Sequence, residues 1–161
     1  MKLTILSGRS GSGKTTALQA LEDHGYYCVD NLPLGLLPTL TEQLDTEEHA
    51  PERVAVGVDA RNLPRQLLAF KSIIKALKNQ QVETEVIFLD CPDDVLVRRF
   101  SETRRPHPLA QGADVLAGIK AERERLAALR KRARHVIDTT STSVHDLRRN
   151  LIDYIARGGS Q

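Results

Sequence analysis

Gly8-Arg9-Ser10-Gly11-Ser12-Gly13-Lys14-Thr15 joins two segments of opposite character, and few folds accommodate such a junction. Before it, Lys2 to Leu6 is a short apolar run suited to a strand. After it, Thr16 to His24 places Ala17, Leu18 and Leu21 on one face of a helix, with Gly25 where a helix-ending glycine belongs. Glycines at this spacing allow a tight turn whose backbone N–H groups converge on one point. The following helix aims the positive end of its dipole there. Such a concavity suits a phosphate chain. The eight residues match G-x-x-x-x-G-K-[ST] without a gap, a pattern in which Lys14 reaches the β- and γ-phosphates and the Thr15 hydroxyl holds Mg²⁺. An ordinary Gly/Ser turn is the alternative, but strand, motif and helix agree on a phosphate loop. Gly8, Arg9, Ser10, Gly11, Ser12, Gly13, Lys14 and Thr15 are therefore the expected nucleotide contacts.

The rest of the chain repeats the alternation. Apolar runs at Leu3–Leu6, Tyr26–Val29, Val54–Val58, Val86–Leu89 and His135–Ile137 are separated by helical patterns near 15–24, 36–44, 64–78, 93–103, 114–132 and 143–156. Alternating strands and helices imply βαβ crossovers and a parallel sheet covered on both faces. The expected fold is an α/β P-loop NTPase, kinase-like, with three α/β/α layers around a five-stranded parallel sheet. Residues 1–157 are read as the nucleotide-binding domain, and 158–161 as a tail or the start of a linker. Leu116, Ile119, Leu126, Leu129 and Ala133 fall at helical spacing and are expected to pack into the core.

Four apolar runs end in aspartate: Asp30, Asp59, Asp90 and Asp138. Ligands in open α/β sheets bind beyond the carboxyl ends of the strands, so these carboxylates are candidates for chemistry. Asp59, after Val54-Ala55-Val56-Gly57-Val58, is the first choice for the acid that binds Mg²⁺. Asp90 is its rival, with a turn before Cys91-Pro92 as the preferred reading. Asp30 is either a base facing an acceptor hydroxyl, or an orienter of water, or an Asx-turn before Pro33. Arg98, Arg99, Arg104 and Arg105 lie around a proline-bounded loop. Arg104 and Arg105 are the candidates for closing over a transferring phosphoryl group, whose charge arginine stabilises.

Charge and composition narrow the partners. The net charge of +2 conceals a balance of −5 over residues 1–97 and +7 over residues 98–134. The basic stretch could contact nucleotide, acidic substrate or nucleic acid, against the plainer reading of a solvated helix face. Lys120, Arg123, Arg130, Lys131 and Arg134 would give only weak, salt-sensitive RNA binding without base preference. Phe100 is the one aromatic between residues 98 and 134, which disfavours base stacking. Two isolated cysteines, Cys28 and Cys91, and five scattered histidines suggest neither a disulfide framework nor a zinc site. No apolar run approaches membrane-spanning length and no secretory leader is read at the start, so a cytoplasmic protein without membrane contact is expected. The guanine-reading Asn-Lys-x-Asp signature is missing and nothing replaces it, leaving ATP or GTP as the nucleotide.

Beyond these motifs the chain resembles the N-terminal domain of the RapZ/YvcJ family, bacterial nucleotide-binding proteins named after an RNase adapter. The resemblance rests on Ser7 to Lys14, Ala20-Leu21-Glu22-Asp23, Gly25-Tyr26-Tyr27-Cys28-Val29-Asp30-Asn31-Leu32-Pro33, Asp59-Ala60-Arg61-Asn62 and Thr103-Arg104-Arg105-Pro106-His107-Pro108-Leu109. It implies binding and slow hydrolysis of ATP and GTP, with contacts at Gly8–Thr15 and at Asp59, Ala60, Arg61 and Asn62. RNA and ribonuclease are implied as partners of a longer parent protein. Three function classes stand: a regulatory NTPase in which nucleotide switches conformation or homo-oligomeric assembly, a small-molecule kinase, and an RNA-binding adapter in which nucleotide is secondary.

Overall fold

The computed structural model describes residues 1–9, 12–58, 69–103, 115–140 and 143–157. Five strands form one parallel sheet: β1 (Lys2–Gly8), β2 (Tyr27–Val29), β3 (Arg53–Val58), β4 (Glu83–Asp90) and β5 (His135–Asp138), in the order β2-β3-β1-β4-β5. The α-helices among the described residues are α1 (Lys14–Asp23), α2 (Leu37–Asp45), α3 (Phe70–Asn79), α4 (Asp93–Thr103), α5 (Val115–Arg125), α6 (Ala127–Arg132) and α7 (Val144–Ala156), with a 3-10 turn at Leu34–Leu36 leading into α2.

Alternation along the strands divides the core. Leu3 and Ile5 of β1, Val54, Val56 and Val58 of β3, and Val86 and Phe88 of β4 face one layer. There they meet Leu37 of α2, Phe70, Ile73 and Leu77 of α3, and Leu129 of α6. Leu6, Ala55, Ile87 and Leu89 face the other layer, against Ala17, Leu18 and Leu21 of α1 and Leu147 and Leu151 of α7. Each fully buried aliphatic side chain contributes about 1.5–3 kcal/mol relative to exposure. Central strands are buried on both faces, as their unbroken apolar runs require. The edge strands are not: Tyr27 and Val136 stay 47% and 39% exposed.

One buried carboxylate interrupts the α1/α7 side. Glu85 accepts from the Thr4 hydroxyl at 3.3 Å and the Tyr154 hydroxyl at 3.2 Å, with Lys2 Nζ 3.7 Å away. Burial and the adjacent Glu85 charge push the Tyr154 phenol up to about 12.

The helical pattern over residues 114–132 proves to be two helices. Leu126 breaks it with φ −90° and ψ 0°. α5 packs on α4, where Ile119 meets Cys91, Leu96 and Phe100, whereas α6 turns beneath the sheet. Ile119, Leu126 and Leu129 of the expected stripe are buried. Leu116 is 43% exposed, and Glu122 lies fully buried on α5. A single periodicity cannot describe two helices that bury different faces.

The connections place a crevice. From β1 the chain passes to α1 on one face, while α3, which follows the adjacent β3, lies on the other face. Neighbouring strands whose connections diverge open a gap at their carboxyl ends.

Candidate phosphate site

The loop after β1 enters that gap. Ser7 is fully buried, and its hydroxyl donates to the Val58 carbonyl at 2.8 Å, pinning the end of β1 to the end of β3. Ser12 folds back, its N–H donating to the Arg9 carbonyl at 2.9 Å and its hydroxyl to the same oxygen. Gly13 then takes φ +101° and ψ 16°, a left-handed conformation that side chains resist. Immediately beyond it α1 begins, with Lys14 as its first residue and Thr15 exposed beside it. Ala17 N–H donates to the Gly13 carbonyl at 3.0 Å, so the first helical turn grows directly out of the loop. A helix start carries N–H groups without intrahelical partners, and here they open on the crevice. At its far end α1 closes with Gly25 N–H donating to Glu22 and Tyr26 N–H to Leu21, the Schellman arrangement.

Asp30 approaches from the end of β2. Its Oδ1 accepts the Asn31 N–H at 2.8 Å and lies 3.9 Å from Lys14 Nζ. Turn formation and proximity to the phosphate loop therefore coexist at this residue. Gly57 makes the approach possible: a Cβ there would stand 2.3 Å from Asp30 Oδ1. The space left at Gly57 is thus filled by Asp30 from the end of the neighbouring strand. Lys14 is partly covered and Asp30 half exposed, with side-chain exposures of 15% and 48%. The pair stands at the solvent mouth of the gap, where a polyanion can enter.

Arg9 does something else. Its side chain is buried at 4% exposure, with Nη1 donating to the Cys91 carbonyl at 2.9 Å and Nη2 to the Ile119 carbonyl at 3.1 Å. Only its backbone belongs to the phosphate loop. On the same flank, Asp90 Oδ1 accepts from Cys91 N–H at 2.9 Å, and Oδ2 from Arg130 Nε at 2.8 Å. Asp138 accepts from the hydroxyl and the N–H of Thr140, which together hold its carboxyl below the usual range. Arg99 donates to the Thr139 carbonyl and joins α4 to the β5–α7 connection, while Arg98 is exposed. Arg123 and Arg130, two of the five candidate RNA-contacting side chains, pair with Asp93 and Asp90, so the five do not form one uncommitted stripe. Cys91 is buried and Cys28 half-buried, both as free thiols, and burial pushes Cys28 up to about 11. Among the described residues no group of three or more His, Cys, Asp or Glu forms a metal cluster. No helix among them is long and apolar enough to cross a membrane. Ser10, Gly11, Asp59, Ala60, Arg61, Asn62, Arg104 and Arg105 lie outside the described residues.

Residues 1–158 match the model of the RapZ-like N-terminal domain. The chain belongs to this family. It is 60% identical over 158 residues to a nucleotide-binding protein of Alcanivorax borkumensis, covering 98% of this chain and 56% of that protein. A nucleotide-binding protein of Halorhodospira halophila is 48% identical, with 97% and 55% covered. The chain thus spans about half the length of these relatives. Among solved structures it is similar to shikimate kinase from Acinetobacter baumannii, at TM-score 0.62 and 17% identity, covering 99% of this chain and 95% of that one. YorR from Bacillus subtilis, solved in complex with phosphorylated GDP, gives TM-score 0.59 and 16% identity, with 99% and 98% covered. At such identities the likeness concerns the fold, which is that of the P-loop kinases and NTPases.

Sequence reasoning overlooked two elements of the site's frame. Ser7 is an unremarkable polar residue at a strand end, and its bond to Val58 depends on which strand lies alongside. The burial of Arg9 was equally hidden, since a charged residue in a glycine loop reads as a phosphate contact. The Arg9-Ser10-Gly11-Ser12 spacing carries no signal that could have revealed it.

Proposed function

We propose that this chain is a nucleoside-triphosphate-binding regulatory module that hydrolyses ATP or GTP slowly. The observation that carries the reading is the meeting of Lys14 and Asp30 at the mouth of the β1/β3 gap, directly above the start of α1. Lys14 exchanges its Asp30 neighbour for phosphate oxygens, and the loop N–H groups from Gly8 to Thr15 cradle the chain. The exposed Thr15 hydroxyl, at the first turn of α1, fits the role of an Mg²⁺ ligand. The ion accompanying the nucleotide would neutralise phosphate charge. Asp59, Ala60, Arg61 and Asn62 are proposed to complete the contacts, with Asp59 toward the metal. Asp30 then faces the terminal phosphate and holds a water by its free oxygen. Slow turnover follows if no arginine waits at that phosphate until a partner or a further domain brings Arg104 or Arg105 there.

A second reading is favoured by the same carboxylate. In a small-molecule kinase Asp30 would accept the proton of an acceptor hydroxyl as its oxygen bonds to the γ-phosphorus and the bond to the β-phosphate breaks. The fate of γ-labelled ATP or GTP, incubated with the protein and a metabolite extract, separates the two. Free phosphate released slowly supports the regulatory module, and label transferred to a metabolite at a kinase-like rate replaces it with the kinase. Ribonuclease, RNA and homo-oligomer partnerships are proposed for the longer protein. They rest on the family resemblance, as does a cytoplasmic location on composition.

A further inference from the structure

Among the described phosphate-loop residues, Arg9 is the one whose charged side chain is buried in the protein. Burying a guanidinium is costly unless every neighbour compensates, so its partners define its purpose. Nη1 and Nη2 donate to the carbonyls of Cys91, before α4, and Ile119, within α5. Nη2 also lies 2.5 Å from Asp93 Oδ1, close enough for ion pairing but off the direction of a hydrogen bond. Asp93 in turn accepts from Arg123 of α5 at 3.0 Å. Asp90, 4.0 Å from Arg9, accepts from Arg130 of α6. Arg9 Nε is buried without a hydrogen-bond partner. The network borders a groove of about 490 Å³ that runs past Phe88 and Val136 on the side of the sheet away from α1.

Resting on the nucleotide reading above, we infer that Arg9 is a positioning residue that couples the conformation of the phosphate loop to α4 and α5. Its backbone and side chain act in opposite directions. The Arg9 carbonyl receives both the Ser12 N–H and the Ser12 hydroxyl, which sets the loop's turn. The guanidinium simultaneously clamps the start of α4 and the middle of α5. A loop that closes on phosphate moves the Arg9 backbone, and the planar fork transmits the movement because its two ends are already bonded to different elements. Nucleotide occupancy is therefore felt at α5 and at the groove beyond it.

Amide hydrogen exchange tests this with and without ligand. In the ligand-free protein, Arg9→Lys, which keeps the charge but cannot span both carbonyls, should speed exchange at Ser12–Thr16 and across Val115–Arg125. Arg132→Ala on the exposed face of α6 should change neither. With saturating Mg²⁺-ATP or Mg²⁺-GTP, the wild type should gain roughly five- to tenfold protection across Val115–Arg125. Asp93→Asn, a milder lesion in the same network, should bind nucleotide at saturation yet gain less than about twofold there. Equal protection of α5 in wild type and variants, or loop protection without any response in α5, overturns the coupling. Failure of the wild type to bind either nucleotide overturns the functional reading instead. The inference then stands or falls on the ligand-free comparison, where unchanged exchange in Arg9→Lys refutes it.

Discussion

The two flanks of the sheet's carboxyl edge are built from the same residue types and used differently. On the β2/β3 flank, Asp30 and Lys14 face each other at 3.9 Å at the solvent mouth, with the Asp30 carboxylate half exposed. On the β4/β5 flank, Asp90 and Asp93 accept from Cys91, Arg130 and Arg123, and Arg9 is buried beside them. The contrast teaches where chemistry can occur. A carboxylate whose lone pairs are spent on backbone N–H and arginine donors holds structure together. One that keeps an oxygen toward solvent can take a proton, a water or an acceptor hydroxyl.

The sharpest way to break this comparison is to remove the cation on the open flank. Lys14→Ala should cost about 2–3 kcal/mol of triphosphate binding, roughly a hundredfold in Kd, and eliminate hydrolysis. Thermal stability should stay close to wild type, because Lys14 stands at the mouth and not in the core. Calorimetric titration with both nucleotides checks this, and unaltered affinity and turnover would remove the phosphate-loop assignment.

Asp30→Asn should keep nucleotide binding but slow turnover on the order of a hundredfold, the scale of a lost acid–base or water-orienting group. Gly57→Ala should mimic it, since the new methyl displaces the Asp30 carboxylate, and should add about 1–3 kcal/mol of destabilisation from overpacking. Single-turnover assays beside denaturant titrations separate the two effects. A turnover loss in neither variant would make Asp30 a turn residue alone.

On the closed flank the expected effects are structural. Asp90→Asn should cost about 0.2–1 kcal/mol, because its Arg130 pair is partly solvated, and should leave Mg²⁺-dependent affinity intact. Asp59→Asn should instead lose metal-dependent affinity. Magnesium titrations of both variants decide between them, and the reverse pattern would move the metal role to Asp90.

The smallest effect concerns pH. Bonds from Thr140 lower the Asp138 carboxyl, so the folded state favours its ionised form. The resulting stabilisation is present above the unfolded carboxylate range of about pH 4 and disappears as pH falls through the lowered folded value. Asp138→Asn should flatten that part of the acid limb, seen by following Tm on acidification. A limb identical to wild type would show that the turn contributes nothing measurable.

Much of the fold was legible because it depends on local chemistry. Apolar runs of strand length alternating with helical patterns dictate a parallel α/β sheet, and the glycine loop with its lysine marks where β1 meets α1. Residue types and their spacing along the chain carry that information. Two features were not legible. One is the break at Leu126, which divides an unbroken helical pattern because α5 and α6 pack on different partners; the other is Leu116, which stays outside the core.

By itself, then, the sequence determined the architecture, the phosphate loop and the set of strand-ending aspartates. Among the described residues, tertiary structure decided that Asp90 is committed to Cys91 and Arg130 while Asp30 faces Lys14. Asp30 and Gly57 are far apart in the chain and meet because β2 lies beside β3. Arg9 is sequestered because α4 and α5 fold over the β4 side of the loop. The reason is physical: a side chain's charge is written in its residue type. Whether that charge meets water or a buried carbonyl depends on neighbours that only folding brings together.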